Sequence, residues 1–201
     1  STWSFRNDVL PVMTKVGCNS GACHGAAAGK NGFKLTLRGY DPMVDYYTLT
    51  HQALARRTER MEPAKSLILL KPTLTIPHGG GRRFPVGSPE YRVISGWLAQ
   101  GMPAPKDSDP LVTAIHVSPR EASLRPGAEQ QLIVTAVYSD GHTEDVTRWT
   151  KYDSGDEGVA TVDNNGRVVM HSYGEAPVTA WYQSHVAFAR LRIPFPSKVD
   201  A

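Results

Sequence analysis

The stretch GCNSGACHGAAAGKNG, residues 17–32, decides which fold the first half of this chain is expected to adopt. It holds the only two cysteines of the 201-residue chain, Cys18 and Cys23, and His24 follows them directly. A Cys-x-x-Cys-His pentad is the usual signal for covalent haem attachment, but here four residues separate the cysteines. The spacing alone leaves three chemistries open: a haem site with a stretched loop, a small disulfide, and part of a metal site.

Each of these chemistries has a different requirement. A disulfide between Cys18 and Cys23 would close a short loop, stabilise little and leave His24 unexplained. A zinc site would need further ligands, and no other cysteine exists in the chain. In a haem site the four intervening residues would have to bulge, and we expect Gly21 to permit this by adopting a positive φ.

The composition predicts a folded, globular chain. Hydrophobic residues make up 40% and charged residues 20%, and no apolar run approaches the ~18 residues of a membrane helix. The net charge of +3 is spread along the chain, which disfavours nucleic acid as a partner. No signal peptide precedes Ser1 and the chain looks like a fragment, so we infer export from chemistry alone.

A proline-rich segment, GMPAPKDSDP at residues 101–110, separates two halves with different patterns. The first half mixes helical periodicity with glycine-rich loops, and the second half alternates as β-strands do. We therefore expect a multidomain chain, mainly α and then all-β. The predicted limits are residues 1–105 for the first domain, 106–112 for a linker and 113–197 for the second domain.

The strongest helix signal lies at residues 88–102. Ser88 is a suitable N-cap, Pro89 suits the first turn, and Gly101 can end the helix. The other elements expected in this half are a helix at 7–16, capped by Asn7 or Asp8, a helix at 45–60, and a short strand or extended segment at 33–39.

The second half predicts a sandwich of six or seven short strands. Leu132, Val134 and Ala136 occupy alternate positions of a strand expected at 129–140, so they share one face of it and are expected in the core. Turn signals such as Asp140-Gly141 separate the strands.

Residues 114–182 resemble a bacterial immunoglobulin-like domain of the group 2 type. The resemblance rests on the order of a proline-glycine turn, a long strand, SDG, DVT, VATVD and NGRV along these residues. It implies a β-sandwich that serves as an exported spacer or adhesion module.

The first hundred residues are similar to the cytochrome c-like domains of large exported planctomycete proteins. The similarity lies in FRNDVLPVMTKVGCNSGACHG (5–25), SLILLKPTLTIPHGGGRRF (66–84) and YRVISGWLAQGMPAP (91–105). It implies a helical cytochrome fold, one haem c bound covalently through Cys18 and Cys23, and a periplasmic or cell-surface location.

The same resemblance implies the iron ligands. His24 is the proximal ligand by its position after the second cysteine. Similar domains often supply a methionine after the 66–70 region, where this chain has His78, so we expect bis-histidine ligation with Met102 as the alternative distal ligand. Arg82 and Arg83 are expected to pair with the haem propionates.

The main functional hypothesis is a monohaem electron-transfer module of low potential, not an enzyme, carried on an immunoglobulin-like spacer. Its partners would be a redox protein or further domains of the same larger protein, and a homodimer is a reasonable assembly. An esterase is excluded, because the HGGG quartet lacks a Gly-x-Ser-x-Gly elbow. Two alternatives stay open: a haem-based gas or redox sensor, and a haem-free adhesion or structural module with the cysteines in a disulfide.

Overall fold

A computed structural model describes residues 2–196 and divides into two compact units, one ending at Asp109 and the other beginning at Pro110. The outer limits predicted for the domains, residues 1 and 197, lie outside the described residues. Within residues 2–196, no helix is long and apolar enough to cross a membrane.

The first unit contains short helices joined by long loops. The α-helices of its described part are α1 (Leu10–Lys15), α2 (Pro42–Thr50), α3 (Leu67–Leu70) and α4 (Pro89–Ala99). A π-helical turn, Phe5–Val9, and two 3₁₀ turns, Leu37–Gly39 and Pro63–Lys65, accompany them. Helices this short do not by themselves establish a cytochrome fold, so that fold stays a prediction.

Helix α4 confirms the strongest helix signal. The Ser88 hydroxyl accepts a hydrogen bond from the backbone N–H of Tyr91 at 3.2 Å, and Gly101, with φ +83°, lies just beyond the C-terminus. The buried face of α4 carries Trp97, whose ring lies 5.2 Å from that of Phe5. Capping and the apolar stripe, both local features, therefore define this helix.

The helix predicted at 7–16 begins earlier than expected, and the predicted caps are wrong. Ser4 is the N-cap: its hydroxyl accepts from the Asn7 N–H at 3.2 Å, while Asp8 accepts from the Ser4 N–H at 2.6 Å. The reciprocal bonds form a box at the start of the helix. Phe5 lies in this first turn and is only 1% exposed, so the turn packs against the rest of the unit.

Two other predictions for this unit are corrected by the structure. The helix expected at 45–60 is α2, which Asp41 caps and which ends at Thr50. It stops because residues 53–55 have φ values of +53° to +56°, a left-handed conformation that costs about 1–2 kcal/mol per non-glycine residue. At 33–39, where a short strand or extended segment was expected, there is one bridge, between Lys30 and Phe33, because no strand in the described part of this unit offers a hydrogen-bonding edge, and the last three residues form the 3₁₀ turn Leu37–Gly39.

The second unit is all-β. Its described strands are β1 (Val112–Ser118), β2 (Glu121–Ser123), β3 (Glu129–Gln131), β4 (Ile133–Tyr138), β5 (Thr143–Asp145), β6 (Lys151–Ser154), β7 (Ala160–Val162), β8 (Arg167–Met170), β9 (Gly174–Tyr182) and β10 (His185–Ile193). They form three sheets, in the orders β1-β4-β5, β2-β10-β9-β6 and β3-β8-β7. All pairs are antiparallel except β2 with β10.

These sheets enclose one hydrophobic core. Leu132, Val134 and Ala136 are fully buried, as the alternation predicts. The structure has more strands than the six or seven expected, partly because the predicted strand at 129–140 divides around Leu132. Its first part pairs with β8 and its second part with β1.

Candidate functional site

The cysteine loop follows α1 and is held by backbone hydrogen bonds. The Cys18 N–H donates to the Met13 carbonyl at 2.9 Å, which ties the first cysteine to the end of the helix. The His24 N–H donates to the Cys18 carbonyl, also at 2.9 Å, and this bond closes the loop. The four residues between the cysteines therefore form a closed loop, and the backbone of His24 lies next to that of Cys18.

The loop does not depend on the glycine that we expected. Gly21 is exposed and does not have a positive φ, whereas Gly17, just before the first cysteine, has φ +82°. Asn19, which is 1% exposed, anchors the loop by donating to the Thr14 hydroxyl at 2.8 Å. Gly25 is required beside it, because a β-carbon there would lie 2.2 Å from the Asn19 carbonyl oxygen. No pattern in the sequence indicated the anchoring role of Asn19.

The cysteines and His24 face a cavity of about 340 Å³ within the first unit. This volume lies in the range of small-molecule and cofactor sites. The lining residues that matter below are Cys18, Cys23, His24, Lys30, Phe33, Arg56, Arg57, Lys71, His78 and Arg83, and the rest are mainly apolar.

Most of the predicted binding residues meet at this cavity, and two do not. Cys18, Cys23, His24, His78 and Arg83 line it, although Cys18 and Arg83 are 65 positions apart. The other two predicted residues do not line the cavity. Arg82 is exposed and does not line the cavity, and Met102 lies elsewhere, where its carbonyl accepts from the Tyr46 hydroxyl at 3.0 Å. The structure thus brings His78, and not Met102, to the same cavity as His24.

Both histidines are oriented by backbone carbonyls. His24 Nδ1 lies 3.1 Å from the Phe33 oxygen, and His78 Nδ1 lies 2.8 Å from the Gly81 oxygen. A carbonyl only accepts, so each Nδ1 carries the proton and each Nε2 keeps a free lone pair. Burial lowers the pKa of His24, which favours the neutral ring. Metal-binding histidines have this arrangement, with one nitrogen held by the protein and the other free to bind.

The spacing of the two rings fits one metal ion between them. Their centres are 6.4 Å apart and their planes are 13° from parallel. A transition metal binds an imidazole nitrogen at about 2.0–2.1 Å and the ring centre lies about 1.1 Å beyond, so two imidazoles on opposite sides of one ion have centres about 6.3 Å apart. The separation of the two rings therefore matches the one expected if both imidazoles bind one ion, so His24 and His78 are the residues that would hold the iron of a haem.

The charge of the cavity fits an anionic ligand. Five cationic side chains line it and no carboxylate does: Lys30, Arg56, Arg57, Lys71 and Arg83. A haem carries two propionates that would offset part of this charge. Of the two arginines predicted to bind them, Arg83 is at the cavity, where its Nη2 lies 3.1 Å from Cys23 Sγ.

The other chemistries for the cysteines receive less support. Cys18 and Cys23 are not joined in a disulfide in the structure. Within residues 2–196, no three side chains of His, Cys, Asp or Glu are grouped closely enough to hold a metal ion by themselves. A zinc site therefore lacks ligands, whereas a porphyrin supplies four of its own and needs only two from the protein.

Comparisons with known proteins bear on the second half. The family model described as "Bacterial Ig-like domain (group 2)" matches residues 111–189. Ice-binding protein 1 of Shewanella frigidimarina (strain NCIMB 400) is 31% identical over 86 residues, 43% of this chain and 10% of that protein. An S-layer-related protein of Niallia circulans is 37% identical over 82 residues, 41% of this chain and 5% of that protein.

Among solved structures, surface layer protein SbsC, domains 4-9, matches with a TM-score of 0.38 at 18% identity, covering 46% of this chain and 16% of that one. This chain thus spans a tenth or less of the curated relatives and a sixth of this solved structure. None of these matches supports the cytochrome c-like resemblance of the first half. The family model supports the other resemblance, that of the second half to bacterial immunoglobulin-like domains of group 2, over residues 111–189.

Proposed function

We propose that the chain is an extracytoplasmic, non-enzymatic module whose first unit binds one haem c covalently and transfers electrons. The observation that carries this proposal is the pair of imidazoles, His24 and His78, with centres 6.4 Å apart in a cavity that Cys18 and Cys23 also line.

Each residue would have a separate task. Cys18 and Cys23 would form thioethers with the two vinyl groups of haem, and His24 and His78 would be its axial ligands. Lys30, Arg56, Arg57, Lys71 and Arg83 supply the positive charge that two propionates require. When bound, the haem would accept and release one electron, at a low potential because both axial ligands are imidazoles.

The immunoglobulin-like domain would act as a spacer within a longer protein. Its named relatives are an ice-binding protein and an S-layer-related protein, and the second name favours a cell-surface location. We propose export to the periplasm or cell surface for this chain, with a redox protein or other domains of the same protein as the electron-transfer partner.

A second candidate is a haem-free structural or adhesion module at the cell surface. The comparisons favour this candidate over electron transfer, because the family match and the named relatives concern an immunoglobulin-like domain and surface proteins. The two candidates differ in one respect, the covalent cofactor of the first unit.

The presence of that cofactor is measurable. The chain is produced in a host that has c-type haem maturation, and intact mass and a pyridine haemochrome spectrum are recorded after denaturation. We expect one haem per chain that stays with the polypeptide, and its loss when Cys18 and Cys23 are both replaced by serine. Wild-type chain with no added mass would refute the proposal and leave the structural module.

The distal ligand has its own test. In haem-loaded protein, His78→Ala should change a six-coordinate low-spin spectrum to a five-coordinate high-spin one. Met102→Ala, the matched control, should leave the spectrum unchanged. If Met102→Ala causes the change, the assignment of His78 is wrong. Prompt carbon monoxide binding by the reduced wild-type protein would favour a sensor over electron transfer.

A further inference from the structure

Arg57 is a buried cation at the edge of the cavity. The residue is only 6% exposed and lines the cavity beside His24 and His78. Its guanidinium donates to three backbone carbonyls: those of Thr48 at 2.9 Å, Gln52 at 3.1 Å and Gly32 at 3.1 Å. None of the ion pairs within residues 2–196 involves it. Its charge is therefore solvated by dipoles and not cancelled by a carboxylate.

The backbone just before Arg57 has an unfavourable conformation. The three residues of the left-handed turn, Ala53, Leu54 and Ala55, have φ values of +53°, +56° and +55°. This turn separates Arg57 from Gln52, whose carbonyl accepts one of its hydrogen bonds. Strain of this kind persists only where the surrounding structure imposes it, and it is concentrated at functional sites.

Arg57 is connected to the proximal histidine through Phe33. The guanidinium lies 4.6 Å from the centre of the Phe33 ring and donates to the carbonyl of the preceding residue, Gly32. Phe33 contacts His24 twice: its carbonyl accepts from Nδ1 at 3.1 Å, and its ring lies 4.3 Å from the imidazole. Arg57 thus holds the segment that orients His24.

We propose that Arg57 sets the reduction potential of the site through its own positive charge, which its hydrogen bonds hold next to the Phe33 segment. The inference rests on the proposed haem function. Reduction adds one electron from an external donor and lowers the charge of the iron by one. A nearby cation favours the state of lower positive charge, and a buried cation acts more strongly because water screens it less. Arg57 therefore raises the midpoint potential.

Arg56 provides a matched control. It also lines the cavity and carries the same charge, but it is exposed, so solvent screens it. The experiment compares haem-loaded wild type, Arg57→Gln, Arg57→Lys and Arg56→Gln by spectroelectrochemical titration. Low-spin spectra serve as the check that both axial ligands are retained.

We expect Arg57→Gln to lower the midpoint potential by clearly more than Arg56→Gln does, and Arg57→Lys to stay near wild type because the charge is kept. Equal shifts for Arg57→Gln and Arg56→Gln would overturn the inference. If Arg57→Gln does not fold or load haem, Arg57→Lys decides: a midpoint potential lowered by more than in Arg56→Gln overturns the role of charge. Wild type without covalent haem refutes the proposed function instead, so the two failures are distinguishable.

Discussion

Gly80 is the position where the smallest change should disturb the distal ligand. A β-carbon added there would lie 2.9 Å from Cε1 and 3.3 Å from Nε2 of His78. Gly80 does not have a positive φ, so alanine meets no backbone penalty. The effect of Gly80→Ala is therefore a displacement of the His78 ring.

The size of that displacement follows from contact distances. Carbon atoms pack best at about 3.5–4.0 Å, so the ring of His78 must move by about 0.6 Å or more. Metal–ligand distances are held to about ±0.2 Å, so such a movement exceeds what an axial bond tolerates. In haem-loaded Gly80→Ala we expect a partly high-spin absorption spectrum and carbon monoxide binding that is faster than in wild type.

Two controls isolate the contact with His78. Gly21→Ala, at the exposed tip of the cysteine loop, meets no atom within 4 Å, has no positive φ and does not line the cavity, so it should behave as wild type. The β-carbon at Gly80 would also lie 3.1 Å from Arg83 Nη2, so Arg83→Gln measures the effect of losing that guanidinium alone. A Gly80→Ala spectrum identical to that of Gly21→Ala, with equal inertness to carbon monoxide, would refute the placement of His78 at the iron.

The other predictions concern the second unit. Leu132→Ala should lower the free energy of unfolding by about 2–5 kcal/mol, and the neighbouring Ile133→Ala, at a 40% exposed position, by less than about 1 kcal/mol, as measured by urea denaturation. The pKa of Tyr138 is raised, mainly by burial, so this unit should lose stability as the pH rises above 10, and less so in Tyr138→Phe. The hydrogen bond to Asp140 raises the pKa of His142 above 6.5, so in an NMR titration Asp140→Asn should lower it.

The second unit was largely predictable because its signals are local. Alternation identifies Leu132, Val134 and Ala136 as core residues whatever their distant partners are. Turn glycines such as Gly141 and Gly166, with φ +88° and +78°, mark where strands end. Division of one predicted strand into β3 and β4 was not predictable, because it depends on which neighbouring strand each part pairs with.

The first unit was less predictable, because its side chains surround a cavity and do not form a continuous stripe. Arg56 and Arg57 are adjacent and chemically identical, so sequence cannot indicate that one is exposed and the other 6% exposed. The left-handed turn at 53–55 consists of alanine and leucine, which favour helices, so propensity predicts the opposite conformation. The contacts that accompany the burial of Arg57, with Gly32 and Phe33, are distant in sequence.

A sequence motif gives the number of residues between two cysteines, but it does not give the distance between them in space. Gly21 and Ala22 are exposed at the tip of the loop, while the bond from the His24 N–H to the Cys18 carbonyl closes its base. The covalent attachment that we propose would depend on where the two sulfurs and one imidazole lie, and Cys18, Cys23 and His24 all line one cavity. Because residues 19–22 lie outside the lining of this cavity, the number of residues in the loop can differ from that of the ordinary motif while the three groups still face the same cavity.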